Sequence, residues 1–143
     1  MRLSASKIPR HPSERHEERR AVLDAIAVIS GFTVSGHLPD GSIPDVFRVD
    51  PRCGAVFLAD AKETETPGNR ETQDRLSGYM RWFAHTVRSS PGSVFAICVG
   101  DPASAPEWQS VLRGLAIGAG LPGARVEASL IDLDLVVISL RVD

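Results

Sequence analysis

Cysteine is scarce in this chain: Cys53 and Cys98 are the only two, too few for a disulfide scaffold or a thiolate zinc site. No apolar run approaches the ~20 residues that span a bilayer. The basic start, Met1 to Arg10, lacks the apolar segment of a signal peptide. Nothing calls for an oxidising compartment or a membrane, so the expected location is the cytoplasm. A large excess of one charge is missing too, since 16 Lys and Arg face 18 Asp and Glu for a formal net charge of −2. That balance speaks against a polybasic protein holding nucleic acid by bulk charge, though not against a local basic face. The histidines, His11, His16, His37 and His85, have no metal-ligand spacing such as H-x-x-x-H. The first three are expected to face water, and His85 to edge a helix. Dinucleotide, P-loop and serine-hydrolase motifs are absent, as are internal repeats and low-complexity segments.

What is there describes an ordinary folded domain. A length of 143 residues, 43% of them hydrophobic, suits one domain with a proper core. Residues 1–12, with Pro9 and Pro12, read as a flexible basic arm, and 13–143 as a single domain. Ser13 is placed to cap a helix from Glu14 to about Ser30, with Val22, Ile26 and Ile29 on its inward face and Gly31 as its stop. A short strand is expected at Phe32–Val34, a turn at Pro39–Gly41 and a strand at Asp45–Val49. The turn Pro51–Gly54 then leads into the apolar run Ala55–Ala59. An unbroken run of that kind reads as a central strand buried on both faces, paired as an antiparallel hairpin with its predecessor. A loop at Thr64–Asn69 leads to a helix from Arg70 to about Arg88, and Cys98 lies as a small buried hydrophobe in an apolar strand over 93–99. Cys53, in the preceding turn, is free or half-buried. A helix over Ala105–Gly118, a short strand near Arg125–Leu130 and a final strand over Leu135–Val142 complete a three-layer α/β domain with a central mixed sheet flanked by helices.

The informative stretch is Ile43 to Lys62. Strand side chains alternate faces, so Asp60 and Lys62 share one face at the end of the most buried strand while Ala61 takes the other. Asp45 begins the neighbouring strand, and the hairpin register brings it beside Asp60 and Lys62. Two adjacent carboxylates repel and are costly at the edge of a core. A divalent cation removes that cost, and hard oxygen ligands suit Mg²⁺ or Mn²⁺. A lysine beside such a metal has work in phosphodiester hydrolysis. It can hold or deprotonate the attacking water, or neutralise charge developing on the phosphate.

Pro44-Asp45, followed by Asp60-Ala61-Lys62, resembles the signature of the PD-(D/E)XK nucleases. The resemblance extends over most of the chain, because that fold also begins with a helix leading into a hairpin and then a helix–strand unit. It implies a restriction-endonuclease-like fold and a Mg²⁺-dependent (or Mn²⁺-dependent) endonuclease acting on DNA, with RNA as an alternative substrate. It further implies that Asp45, Asp60 and the Ala61 carbonyl bind the metal while Lys62 is the catalytic lysine. Many members add a glutamate from the first helix. Glu17 and Glu18 are the candidates here, Glu18 sharing the face of Val22; both, with Glu14, also suit the helix dipole as first-turn acids. Some members carry Gln and Tyr four apart on the second helix, whereas Gln73 and Tyr79 are six apart. The resemblance is compatible with a homodimer, two sites serving two strands, or with a nuclease-fold subunit that binds nucleic acid or a partner without catalysis.

Charge is uneven along the chain. Residues 1–20 hold six Arg and Lys against three Glu, whereas from Asp101 onward three Arg meet six acids. The basic half is either a solvated surface or a phosphate-contacting face, in which case Arg70, Arg75 and Arg19 are the expected contacts. Trp82, Phe83 and Trp108 fit core positions better than base-stacking platforms.

Overall fold

The computed structural model describes residues 12–39, 41, 43–62 and 66–142, so residues 1–11 of the expected basic arm lie outside the described residues. The first helix, α1 (Pro12–Ile29), starts two residues ahead of the expected Glu14. Proline suits the first helical turn, where its missing N–H has no intrahelical partner to lose. Ser13 is therefore inside the helix rather than its cap. Gly31, at φ +102°, ends the element in a conformation that favours glycine.

The buried stripe of α1 runs through Arg19, Leu23 and Ala27, with Val22 and Ile26 only partly buried and Ile29 85% exposed. The expected face is thus rotated by one residue. The sheet surface beneath explains the rotation, for it presents Ala55, Ala59, Ala61 and Ala96. Such a shallow surface admits Leu23 and the small Ala27 at close range and leaves the β-branched residues at the flank.

Six strands form one mixed sheet: β1 (Val34–Ser35), β2 (Val46–Val49), β3 (Val56–Ala61), β4 (Val94–Val99), β5 (Arg125–Asp132) and β6 (Leu135–Arg141), in the order β1-β2-β3-β4-β6-β5. β2 and β3 are the expected antiparallel hairpin, with Val46 opposite Ala59 and Val49 opposite Val56. β4 lies parallel to β3, which requires a crossover, supplied by α2 (Arg70–Val87). Asn69 caps α2 by accepting a hydrogen bond from the Thr72 amide at 2.9 Å. After a single 3₁₀ turn, α3 (Ala105–Gly118) spans the expected range and buries Trp108, Leu112 and Ala116.

Every residue of β3 and β4 is buried, as expected of unbroken apolar runs. Leu58 and Ile97 pack with Leu76, Met80, Phe83 and Trp108 under α2 and α3, while Phe57, Ala59 and Cys98 pack with Leu23 and Ala27 of α1. The described residues therefore form an α/β arrangement of three helices on the two faces of a six-stranded mixed sheet. β5 is longer than expected and exposed at nearly every position, because it is the sheet's edge. Among the described residues no helix is long and apolar enough to cross a membrane.

Candidate active site

Alternation along β3 sends Val56, Leu58 and Asp60 toward α2, so a carboxylate continues a row of core side chains. Asp60 is only 2% exposed and Lys62, two residues on, 3%. A lone buried charge is expensive, and here each relieves the other: the Lys62 Nζ donates to Asp60 Oδ2 at 3.0 Å. With Val46 opposite Ala59, Asp45 falls opposite Asp60. The two aspartates then exchange hydrogen bonds with each other's strands. The Asp45 amide donates to Asp60 Oδ1 at 3.0 Å, and the Ala61 amide donates to Asp45 Oδ2 at 2.7 Å. Burial pushes the Asp60 carboxyl above the usual carboxylate range; the Lys62 charge opposes that shift and the Asp45 charge adds to it.

Helix α2 closes the site from above. Arg75 Nε stands 3.7 Å from Asp60 Oδ2, with the arginine side chain 56% exposed. The same Nε lies 3.5 Å from the Tyr79 hydroxyl, and that contact is the chief influence raising the arginine's basicity. Tyr79 itself is buried. Arg75 and Tyr79 stand four apart, one helical turn, and that spacing was the signal for pairing them. In the sequence Tyr79 is weighed only against Gln73, six residues away. Gln73 points elsewhere and donates to the Pro67 carbonyl at 2.6 Å. Arg70 is exposed at the first position of α2.

Helix α1 reaches the site with His16 and Arg19. His16, expected to face water, places Nε2 3.1 Å from Asp45 Oδ2. Arg19, expected on a phosphate-contacting face, is only 8% exposed, and its Nη1 donates to the Lys62 carbonyl. A Cβ on Gly100 would collide with that guanidinium, so the glycine leaves the space Arg19 fills. The one-residue rotation of α1 is what turns Arg19 inward. Glu17 is exposed and paired with Arg20 at 3.1 Å, which draws its carboxyl below the usual range. Glu18 is half-buried on the flank that carries Val22 and Ile26. Of the remaining histidines, His37 and His85 are exposed, His85 in the last turn of α2.

No family model, curated protein or solved structure matches this chain. The chemistry of the gathered residues therefore carries the functional reading by itself.

Among the described residues, no three or more His, Cys, Asp or Glu side chains gather as a metal site. The donors at hand are two carboxylates, from Asp45 and Asp60, and one backbone oxygen. The Ala61 amide is directed at Asp45, and in an extended strand a residue's N–H and C=O leave on the same side. Its carbonyl thus shares the Asp45 side of β3. Three oxygen donors of this kind suit Mg²⁺ or Mn²⁺, which take oxygen ligands and keep several waters.

Proposed function

We propose that this chain is a metal-dependent nuclease of the PD-(D/E)XK type, with a restriction-endonuclease-like fold, that hydrolyses DNA phosphodiester bonds in the cytoplasm. The observation that carries the reading is the meeting of Asp45, Asp60 and Lys62 at the end of the central strand, cross-linked through each other's backbones. The order of elements, helix, hairpin, helix, strand, with helices on both faces, supports it. Asp45, Asp60 and the Ala61 carbonyl would hold Mg²⁺ or Mn²⁺, which supplies Lewis-acid activation of the phosphodiester. Lys62 orients the attacking water and offers positive charge where the phosphate gains negative charge. Arg75, more than half exposed and beside Asp60, is placed to take a phosphate oxygen. Arg19 and His16 act as positioning residues, one fixing the Lys62 backbone and the other the Asp45 carboxylate.

The test is a panel of branched, flapped, single-stranded and duplex DNAs and RNAs incubated with Mg²⁺ or Mn²⁺. Cleavage is expected in the wild type and lost in Asp60→Asn and Lys62→Ala, with circular dichroism verifying the fold. Undiminished cleavage in both variants would sink the assignment. One observation favours a second reading, a nuclease-fold subunit without catalysis. Lys62 and His16 already pair with the two carboxylates inside the protein. Titration calorimetry separates the two, since absent Mg²⁺ and Mn²⁺ affinity, with DNA present, selects the non-catalytic subunit.

A further inference from the structure

Helix α2 continues outward from Arg75 as one wall of an open groove of about 740 Å³. Arg75, Gly78, Arg81 and Trp82 line the helix side, and Leu38 and Ile43 line the other. The volume falls in the range of about 300–1,000 Å³ typical of ligand sites. It admits an unpaired base with its sugar-phosphate.

Three features of the lining point to one ligand chemistry. Arg75 and Arg81 bring two guanidinium groups, against Asp74 as the lining's acid, and guanidinium is suited to phosphate oxygens. Trp82, expected in the core, is only half-buried. It packs at the core's edge, tilted against Phe47 with ring centroids 5.4 Å apart, and shares the groove lining with Ile43, which is 82% exposed. A partly exposed aromatic ring held in a groove lining offers a stacking surface to a base whose own faces are uncovered. Gly78 leaves room in the same lining. In mid-helix glycine is unfavourable, yet a Cβ there would meet only the Arg81 guanidinium, at an ordinary 3.9 Å. The fold gives no steric reason for the missing side chain. Its absence keeps the groove floor open.

We propose that this groove binds a single strand of nucleic acid, with an unpaired base against Trp82 and its phosphates on Arg81 and Arg75, and leads that strand to Asp60 and Lys62. The destination rests on the nuclease reading, but the binding does not. Arg75 joins the two places, since it lines the groove and stands 3.7 Å from Asp60.

The experiment is fluorescence anisotropy with labelled oligo-deoxythymidine, oligo-uridine and a DNA duplex, in EDTA so that no strand is cut. Either single strand is expected to bind about tenfold tighter than the duplex and to quench Trp82 emission. Trp108, 1% exposed, stays out of reach of the strand. Trp82→Ala and Gly78→Leu should each weaken single-strand binding about tenfold, the scale of one lost base–aromatic stack. Trp82→Phe should keep most of the affinity while losing the quench. Gly78→Leu matters most, because it fills the groove with a better helix former and leaves Trp82 on Phe47. Duplex binding as tight as single-strand binding, or wild-type affinity in both Gly78→Leu and Trp82→Ala, overturns the groove. Metal-dependent cleavage that ignores these variants overturns the strand's path to Asp60 and Lys62 while sparing the nuclease reading. Groove-dependent binding with no cleavage under any metal does the reverse.

Discussion

Replacing Lys62 with methionine tests whether the Asp60–Lys62 pair behaves as a buried ion pair. Methionine keeps the length of the side chain and removes the charge. Asp60, 2% exposed, would then retain the Asp45 amide and lose its closest cation, leaving Arg75 at 3.7 Å and half in water. Removing one partner of a buried pair costs about 3–5 kcal/mol. The remaining guanidinium puts the expected loss at the lower end, about 3 kcal/mol. With a urea slope of about 2 kcal/mol per molar, the unfolding midpoint should fall by about 1.5 M. Acidity supplies a signature. The Asp60 carboxyl is held above its ordinary value of 3.8 in the folded protein, chiefly by burial, so folding favours its protonated form. That contribution is full below the ordinary value and lost as pH rises through the folded one. Without Lys62 the folded value climbs further, so the deficit of Lys62→Met should be largest at neutral pH and shrink as the solution is acidified and the carboxyl protonates in both proteins. The double variant Asp60→Leu/Lys62→Met should recover all but about 1 kcal/mol, the remainder being the Asp45 amide left without its acceptor. A single-variant loss below about 1 kcal/mol, unchanged with pH, refutes the reasoning, for that is how a screened surface pair behaves.

Gly100→Ala should destabilise the protein, because the added Cβ collides with the Arg19 guanidinium, and the cost should disappear in an Arg19→Ala background. Equal costs in both backgrounds, measured by urea unfolding, would show that Arg19 does not fill that space. Native protein should expose one reactive thiol to a disulfide reagent, since Cys53 is exposed whereas burial lifts the Cys98 thiol to about 11; denatured protein should expose two. Two thiols titrating at once in the native state would contradict the burial of β4.

The hairpin and its catalytic-looking end were legible because local rules decide them. The apolar run Ala55–Ala59 could be little other than a central strand, and alternation then put Asp60 and Lys62 on one face. The turn at Pro51–Gly54 set a register that brought Asp45 opposite Asp60. The contribution of α1 was not legible. Counting Val22, Ile26 and Ile29 chose a face one residue away, since the choice depended on the alanine-lined sheet beneath the helix rather than on the helix's own composition. That single rotation hid Arg19 and, with it, the contact to Lys62. His16 was missed for a similar reason, as its partner Asp45 lies far off in sequence. The edge position of β5 depends on strand order, which a local pattern does not carry.

The last residue beyond a strand usually frays, and its amide exchanges with solvent quickly. Lys62 stands just past β3 and is held at both of its backbone polar groups: its amide donates to the Cys98 carbonyl at 2.9 Å, and its carbonyl accepts from Arg19. Loosening it requires α1 and β4 to let go together. Hydrogen exchange at Lys62 should therefore follow opening of the core rather than end-fraying, and the site stays assembled for as long as the three layers hold.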